Sequence, residues 1–191
     1  MLIQLLRDMW DILRLRYKHP ADYRYTLPTI AAVLLLIGLV NAAGMAPVFG
    51  NSAGVIAFAV ALTALKWLLL GHVMRTTLGY YGAERLPLWG FVLASEALVV
   101  PALAMFYLPA LGFIALFWQV WIFWVQAIGF IKMGQVSGLR VMLGYVVYLL
   151  LLMVAGALLL TLFGQLGLMD LQGISEQMNS MMNEAAAEAQ Q

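Results

Sequence analysis

The chain has 191 residues, 64% hydrophobic and 10% charged, with a mean hydropathy of +0.94 and a formal net charge of +1. Soluble domains carry about a quarter charged residues, so this composition describes an integral membrane protein, and its near-neutral balance gives no argument for nucleic-acid binding. The absence of cysteine excludes disulfides and thiolate metal sites or nucleophiles; with His19 and His72 as the only histidines, a structural zinc site is not expected, and no cofactor is implied.

Residues 1–26 read as a cytoplasmic segment built on an amphipathic helix over residues 1–19. Leu2, Leu5, Leu6, Met9, Trp10, Leu13 and Tyr17 recur at helical spacing on one face, and Gln4, Arg7, Asp8, Asp11, Arg14 and Lys18 on the other. Leu15 and Arg16 break the pattern, and Pro20 stops the helix. Such a helix lies in the interfacial plane with its basic residues near anionic headgroups, or packs on the cytoplasmic end of a bundle.

The remainder predicts an all-α bundle of five transmembrane helices over residues 27–164, with spans at 29–46, 53–74, 86–108, 110–131 and 141–163. The first span, with a basic lead-in, an apolar core and Asn41-Ala42-Ala43 toward its end, invites comparison with a cleavable signal peptide. Its long amphipathic lead-in favours a retained helix. The fourth span is dense in aromatic residues, read as packing or interface anchors, and the fifth is the most lipid-like. Residues 165–191 form an acidic tail with Asp170, Glu176, Glu184 and Glu188 and a weak helical stripe.

Basic residues set the orientation. Arg7, Arg14, Arg16, Lys18 and Arg24 precede the first span, Arg75 and Arg85 follow the second, and Lys132 and Arg140 follow the fourth. Only Lys66 is intramembrane. An odd number of crossings therefore places the N-terminus in the cytoplasm and the tail outside it. The loops carrying Tyr80, Tyr81, Glu84 and Arg85, and Lys132 to Arg140, become candidate cytoplasmic interaction surfaces. Gly134 and Gly138 have GxxxG spacing, but fall in the second loop, where flexibility explains them.

Two intramembrane charges stand out. Lys66 lies about eight residues, or roughly 12 Å, from the cytoplasmic end of span two, and Glu96 about ten residues, or roughly 15 Å, into span three. Consecutive antiparallel helices thus bring opposite charges to nearly equal depth. They can form an ion pair, which fixes helix facing more than it stabilises; they can have separate fates, Lys66 snorkelling and Glu96 protonated; or they can serve a proton or ion site. Pro101 cannot donate to the Ala97 carbonyl, which predicts a kink beside Glu96. Gln119 and Gln126, seven apart, share a face suited to interhelical hydrogen bonds. Ser95 has no histidine near it in sequence, and no nucleophile constellation, phosphate loop or paired-carboxylate motif appears, so an enzyme is not expected.

The segments GYYGAERLPLWGFVLASEALVVPALA and WVQAIGFIKMGQVSGLRVMLGYVVYLLLL, together with the crossing number, resemble the Yip1 family of membrane proteins over residues 27–164. The resemblance implies a five-span fold and a non-enzymatic protein that organises or binds membrane components, as a homo-oligomer or with a membrane-protein partner in the bilayer. Eukaryotic members bind Rab-type GTPases and have long cytoplasmic N-terminal regions. This chain is more similar to the short bacterial members, which implies a bacterial inner membrane with the tail in the periplasm. The alternative is a small transporter or proton-coupled permease using Glu96 beside the Pro101 kink, and a connected polar cavity at Glu96 would favour it over a filled bundle.

Overall fold

The computed structural model describes residues 2–83, 86–101, 112–169 and 173. Among the described residues there are six α-helices: α1 (Leu2–Leu13), α2 (Leu27–Phe49), α3 (Ala53–Tyr80), α4 (Trp89–Glu96), α5 (Gly112–Gly134) and α6 (Gly138–Gln165). Four of them, α2, α3, α5 and α6, are long and apolar enough to cross a membrane. Among the described residues there is no strand.

Helix α1 stops at Leu13 rather than residue 19. Leu15 takes a left-handed φ of 59°, and the Arg16 N–H folds back to the Asp11 carbonyl at 2.9 Å. Pro20 instead opens a short 3₁₀ turn, Pro20–Asp22, which His19 caps through Nδ1. The two-faced reading of α1 also needs correction, since the helix has three faces. Leu5, Asp8 and Ile12 are buried against α4 and α5, Leu2, Ile3, Leu6 and Trp10 stand exposed, and Arg7 lies between that apolar stripe and the polar remainder. The helix therefore both packs on the bundle and presents an apolar stripe outward.

Asp8, expected on the solvent face, is 1% exposed. It is buried because the connector supplies its partners: Lys18 Nζ at 2.6 Å and the Tyr25 hydroxyl, which donates at 2.7 Å. Lys18 also reaches Asp11 at 3.3 Å. The hydrogen bond to Asp8 holds the Lys18 ammonium above its usual pKa, while burial, then the Asp8 hydrogen bond, push the Tyr25 phenol up. Tyr17 and Tyr23 enter the bundle end, edge-on to Phe91, and the Tyr17 hydroxyl donates to the Val125 carbonyl at 2.6 Å. Gly90 permits this insertion, because a Cβ there would overlap the Tyr23 carbonyl.

The long helices run beyond the expected spans at several of their ends. Ser52 caps α3 by accepting from Val55 N–H at 3.2 Å, and the helix continues through Arg75 to Tyr80. The expected loop at residues 75–85 thus begins only at Tyr81. The polar break between α5 and α6 is likewise shorter than residues 132–140: it spans 135–137, pinned by the left-handed Gln135, and both Lys132 and Arg140 lie on helices. Helix α4 becomes 3₁₀ over Ala97–Val99. Of the expected third span, residues 102–108 lie outside the described residues, as do Glu84 and Arg85 and all of the tail beyond Met169 except Gly173.

A three-residue linker folds α3 back on α2, and Gly38 lets the two backbones approach; a Cβ there would sit 2.7 Å from Val60 Cα. Helix α6 is antiparallel to α3, as Gly144 meets Met74 near one end and Phe163 meets Phe58 near the other. Helix α5 runs antiparallel to α4, Trp118 bonding Leu98 and Gln126 bonding Ser95, and its C-terminal Gly134 reaches Leu78 of α3. Helices α3 and α5 therefore both run toward the end where α1 and the connector sit. Lys132 stacks over Tyr17 and Arg140 over Tyr81 at this end. We call it the basic end.

Candidate functional site

At mid-length of the bundle, α3 and α4 bring two charges together. Lys66 Nζ lies 3.9 Å from Glu96 Oε2, with the side chains 32% and 20% exposed. That separation is Coulombic contact but exceeds hydrogen-bonding length. Glu96 Oε1 accepts from Gln126 Nε2 at 3.4 Å, and the same amide nitrogen donates to Ser95 Oγ at 2.8 Å. Ser95 in turn donates to the Val92 carbonyl, and the Tyr145 hydroxyl donates to Gln126 Oε1 at 2.8 Å. The buried Gln126 amide is thus fixed in orientation from both sides, with its nitrogen toward the carboxylate.

On the other side of Lys66, Asn41 donates to Thr63 at 2.9 Å, and Thr63 returns its proton to the Ala59 carbonyl. Between the two clusters lies a cavity of about 630 Å³ whose walls include Asn41, Lys66, Glu96, Gln119, Gln126 and Tyr148. A smaller cavity of about 230 Å³ shares Asn41 and Lys66 as walls. No buried side-chain nitrogen or oxygen lacks a partner among the described residues. The ammonium of Lys66 differs from these: only partly buried, it has no hydrogen-bond acceptor among the described residues and faces the cavities.

Pro101 is the last described residue after α4 and its 3₁₀ extension. The Ala97 carbonyl, which proline cannot serve, accepts instead from Val100 N–H at 3.0 Å, so the helix tightens to 3₁₀ and that carbonyl is not left free. The Leu98 carbonyl takes the indole N–H of Trp118 at 2.9 Å. One of the tryptophans read as packing therefore completes the backbone next to Glu96.

The structure thus draws Lys66, Glu96, Gln119 and Gln126 to one cavity. Tyr80, Tyr81, Lys132 and Arg140 stand at the basic end, away from it. Sequence reasoning missed Asn41, Tyr145 and Tyr148 and weighed Ser95 only as a nucleophile. The tyrosines left a signal: two hydroxyls three residues apart in an otherwise lipid-like helix mark an inward face. Among the described residues no group of three or more His, Cys, Asp or Glu side chains could hold a metal.

Long apolar helices packed around an apolar core that holds one polar cluster define a multi-pass helical membrane protein. No family model, curated protein or solved structure matches the chain.

Proposed function

We propose that this is a small transporter-type membrane protein whose ligand binds in the cavity at Lys66 and Glu96. One observation carries the reading: the charged pair sits in an open cavity of about 630 Å³ instead of a filled helix contact. Intramembrane charges that serve only to register helices are packed and hydrogen-bonded to each other. Here they stand at 3.9 Å, and Lys66 keeps unused donors. The tightened turn before Pro101 supports the same reading, since irregular helix beside a mid-depth carboxylate is how transporters line sites.

The reading includes five passages, the third being the span expected at residues 86–108, of which the structure describes residues 86–101. Its support is directional: α3 and α5 both run toward the basic end, so the chain between them has to travel back. The basic end is cytoplasmic by the positive-inside rule, in an inner membrane. The chain carries out no covalent chemistry in this reading.

Because the protein has no cysteine, single-cysteine labelling tests the proposal on an otherwise silent background. Gln119→Cys should react with a membrane-impermeant methanethiosulfonate from at least one face, while Leu158→Cys, on the exposed apolar side of α6, should not. If Gln119→Cys is as inert as Leu158→Cys from both faces, water does not reach the cavity and the transporter reading fails.

The second reading is the Yip1-like organiser, which binds other membrane components or further copies of itself. The observation favouring it is the outward stripe of α1, where Leu2, Ile3, Leu6 and Trp10 are 54–76% exposed. Stoichiometric co-purification of a membrane partner that is lost on Leu6→Asp would support this reading.

A further inference from the structure

The cavity at Glu96 has walls of two kinds. Its inner side carries Lys66, Glu96 and Gln126. Its outer side is formed by Phe123 of α5 with Val146 and Leu149 of α6. These three are also among the exposed large hydrophobic residues of the bundle, at 38%, 53% and 53%. Apolar side chains exposed on helices of membrane-spanning length face hydrocarbon. The α5–α6 flank therefore opens the cavity toward lipid, with opposite charges waiting at its floor.

A molecule arriving by that route has to be apolar at its outer end. At the floor, a purely anionic head would meet the Glu96 carboxylate, and a purely cationic one would meet the Lys66 ammonium. A head carrying both charges leaves the site's net charge unchanged, which matters where the dielectric is low. The floor also asks for a hydrogen-bonding cation. Glu96 offers a carboxylate, but the nearby rings make no cage for a methylated ammonium: Phe123 and Tyr145 lean on each other at 5.0 Å. Lys66 supplies ammonium donors that meet no acceptor among the described residues, as a phosphate requires.

Resting on the reading of this cavity as a ligand site, we propose that its ligand is an ethanolamine-type phospholipid taken from the bilayer through the α5–α6 flank. The ammonium lies on Glu96, the phosphate lies on Lys66, and the acyl chains leave between Phe123 and Val146. The volume suits a head with its glycerol, within the range of small-molecule sites.

The test uses the full-length protein equilibrated with vesicles holding equal parts of palmitoyl-oleoyl phosphatidylethanolamine, phosphatidylcholine and phosphatidylglycerol, and native mass spectrometry of the lipid it retains. The expected result is one phosphatidylethanolamine per chain, enriched at least about tenfold over the other two, as one charge-assisted contact warrants. Glu96→Gln and Lys66→Met should each remove that enrichment. Val146→Trp, which fills the mouth without touching the charges, should lower retention of all lipid at an unchanged melting temperature. Millimolar glycerophosphoethanolamine, the same head without chains, should not displace the lipid.

Equal retention of the three lipids by the wild-type protein overturns the proposal, and this arm needs no variant to fold. Displacement by the soluble head, with Val146→Trp silent, overturns the lipid route and makes the ligand an aqueous zwitterion. Neither result touches the cysteine-labelling test, so failure of the lipid assignment and failure of the cavity as a site are distinguishable.

Discussion

Replacing Asp8 with Asn should detach the N-terminal segment while leaving the transmembrane bundle folded. Asp8 is almost fully buried and receives two charge-assisted contacts, from Lys18 at 2.6 Å and from the Tyr25 hydroxyl at 2.7 Å. The Lys18 side chain is 40% exposed, so its share is that of a surface pair, about 0–1 kcal/mol after screening. The Tyr25 hydroxyl is more enclosed, and a hydrogen bond to a charged group is worth about 1.5–3 kcal/mol. Relief of the buried charge offsets part of this. A net loss of about 1.5–3 kcal/mol in docking follows, a 10- to 150-fold rise in the open population at ~1.4 kcal/mol per decade. Amide hydrogen exchange reports it directly: residues 2–13 should lose protection by that factor, and α3 should keep its own. Tyr25→Phe should give most of the same loss, and the double variant little more, because both remove one contact. If Asp8→Asn exchanges at the wild-type rate over residues 2–13, the Asp8 cluster does not hold α1 and the three-faced account of that helix is wrong.

Three further outcomes follow from the same geometry. Glu96→Leu should lower the melting temperature by leaving Lys66 unpaired, at a cost of about 1–2 kcal/mol because both groups keep some exposure; the double variant with Lys66→Met should recover most of it. Gly90→Ala should destabilise by about 1–3 kcal/mol or more through its clash with the Tyr23 carbonyl, where the close partner is backbone and cannot rotate away; proteolysis at residues 14–26 would report it. Alkaline pH should release the same segment. Lys18 and Tyr25 both have raised folded-state pKa values, from ordinary values of 10.5 and 10.0. Their contribution is therefore complete below about pH 10 and is lost as pH rises from there through the folded values. Hydrogen exchange of α1 corrected for intrinsic rate, compared at pH 9 and 10.5, checks the direction.

The helices were legible because runs of apolar residues of bilayer length have few other fates in water or lipid. Their ends were not. Arg75, Thr76 and Thr77 look like loop chemistry, yet a helix already paid for nucleation continues as long as its backbone bonds are cheaper than water's, and only the turn at Tyr81 and Gly82 interrupts it. The depth argument placed Lys66 and Glu96 opposite each other because it used a periodic quantity, the rise per residue, on helices whose order in the chain made them neighbours. The same argument had nothing to say of Asp8. Its burial depends on Lys18 and Tyr25, which come from a connector with no period, so an aspartate set among polar residues looked like a solvated face.

The misread face and the missed tyrosines have one cause, and it bears on the site. In lipid, a side chain's environment is set by what packs across from it, since the hydrocarbon itself does not separate inside from outside. Tyr145 shares α6 with long exposed leucines; Phe123, Gln126 and Phe130 on α5 make its side of the helix an interior. Rings continue from there through Phe91 to Tyr17 and Tyr23 at the basic end. The connector thus closes one end of the core whose middle holds the Glu96 cavity. With that end plugged by Tyr17 and Tyr23, access to the charged pair is left to the α5–α6 flank and to the smaller cavity at Asn41 and Lys66. A variant that undocks the connector should accordingly raise labelling of Gln119→Cys from the basic end, whereas wild-type labelling should be slower from that end than in the undocked variant. Equal rates would mean that the aromatic plug does not govern access.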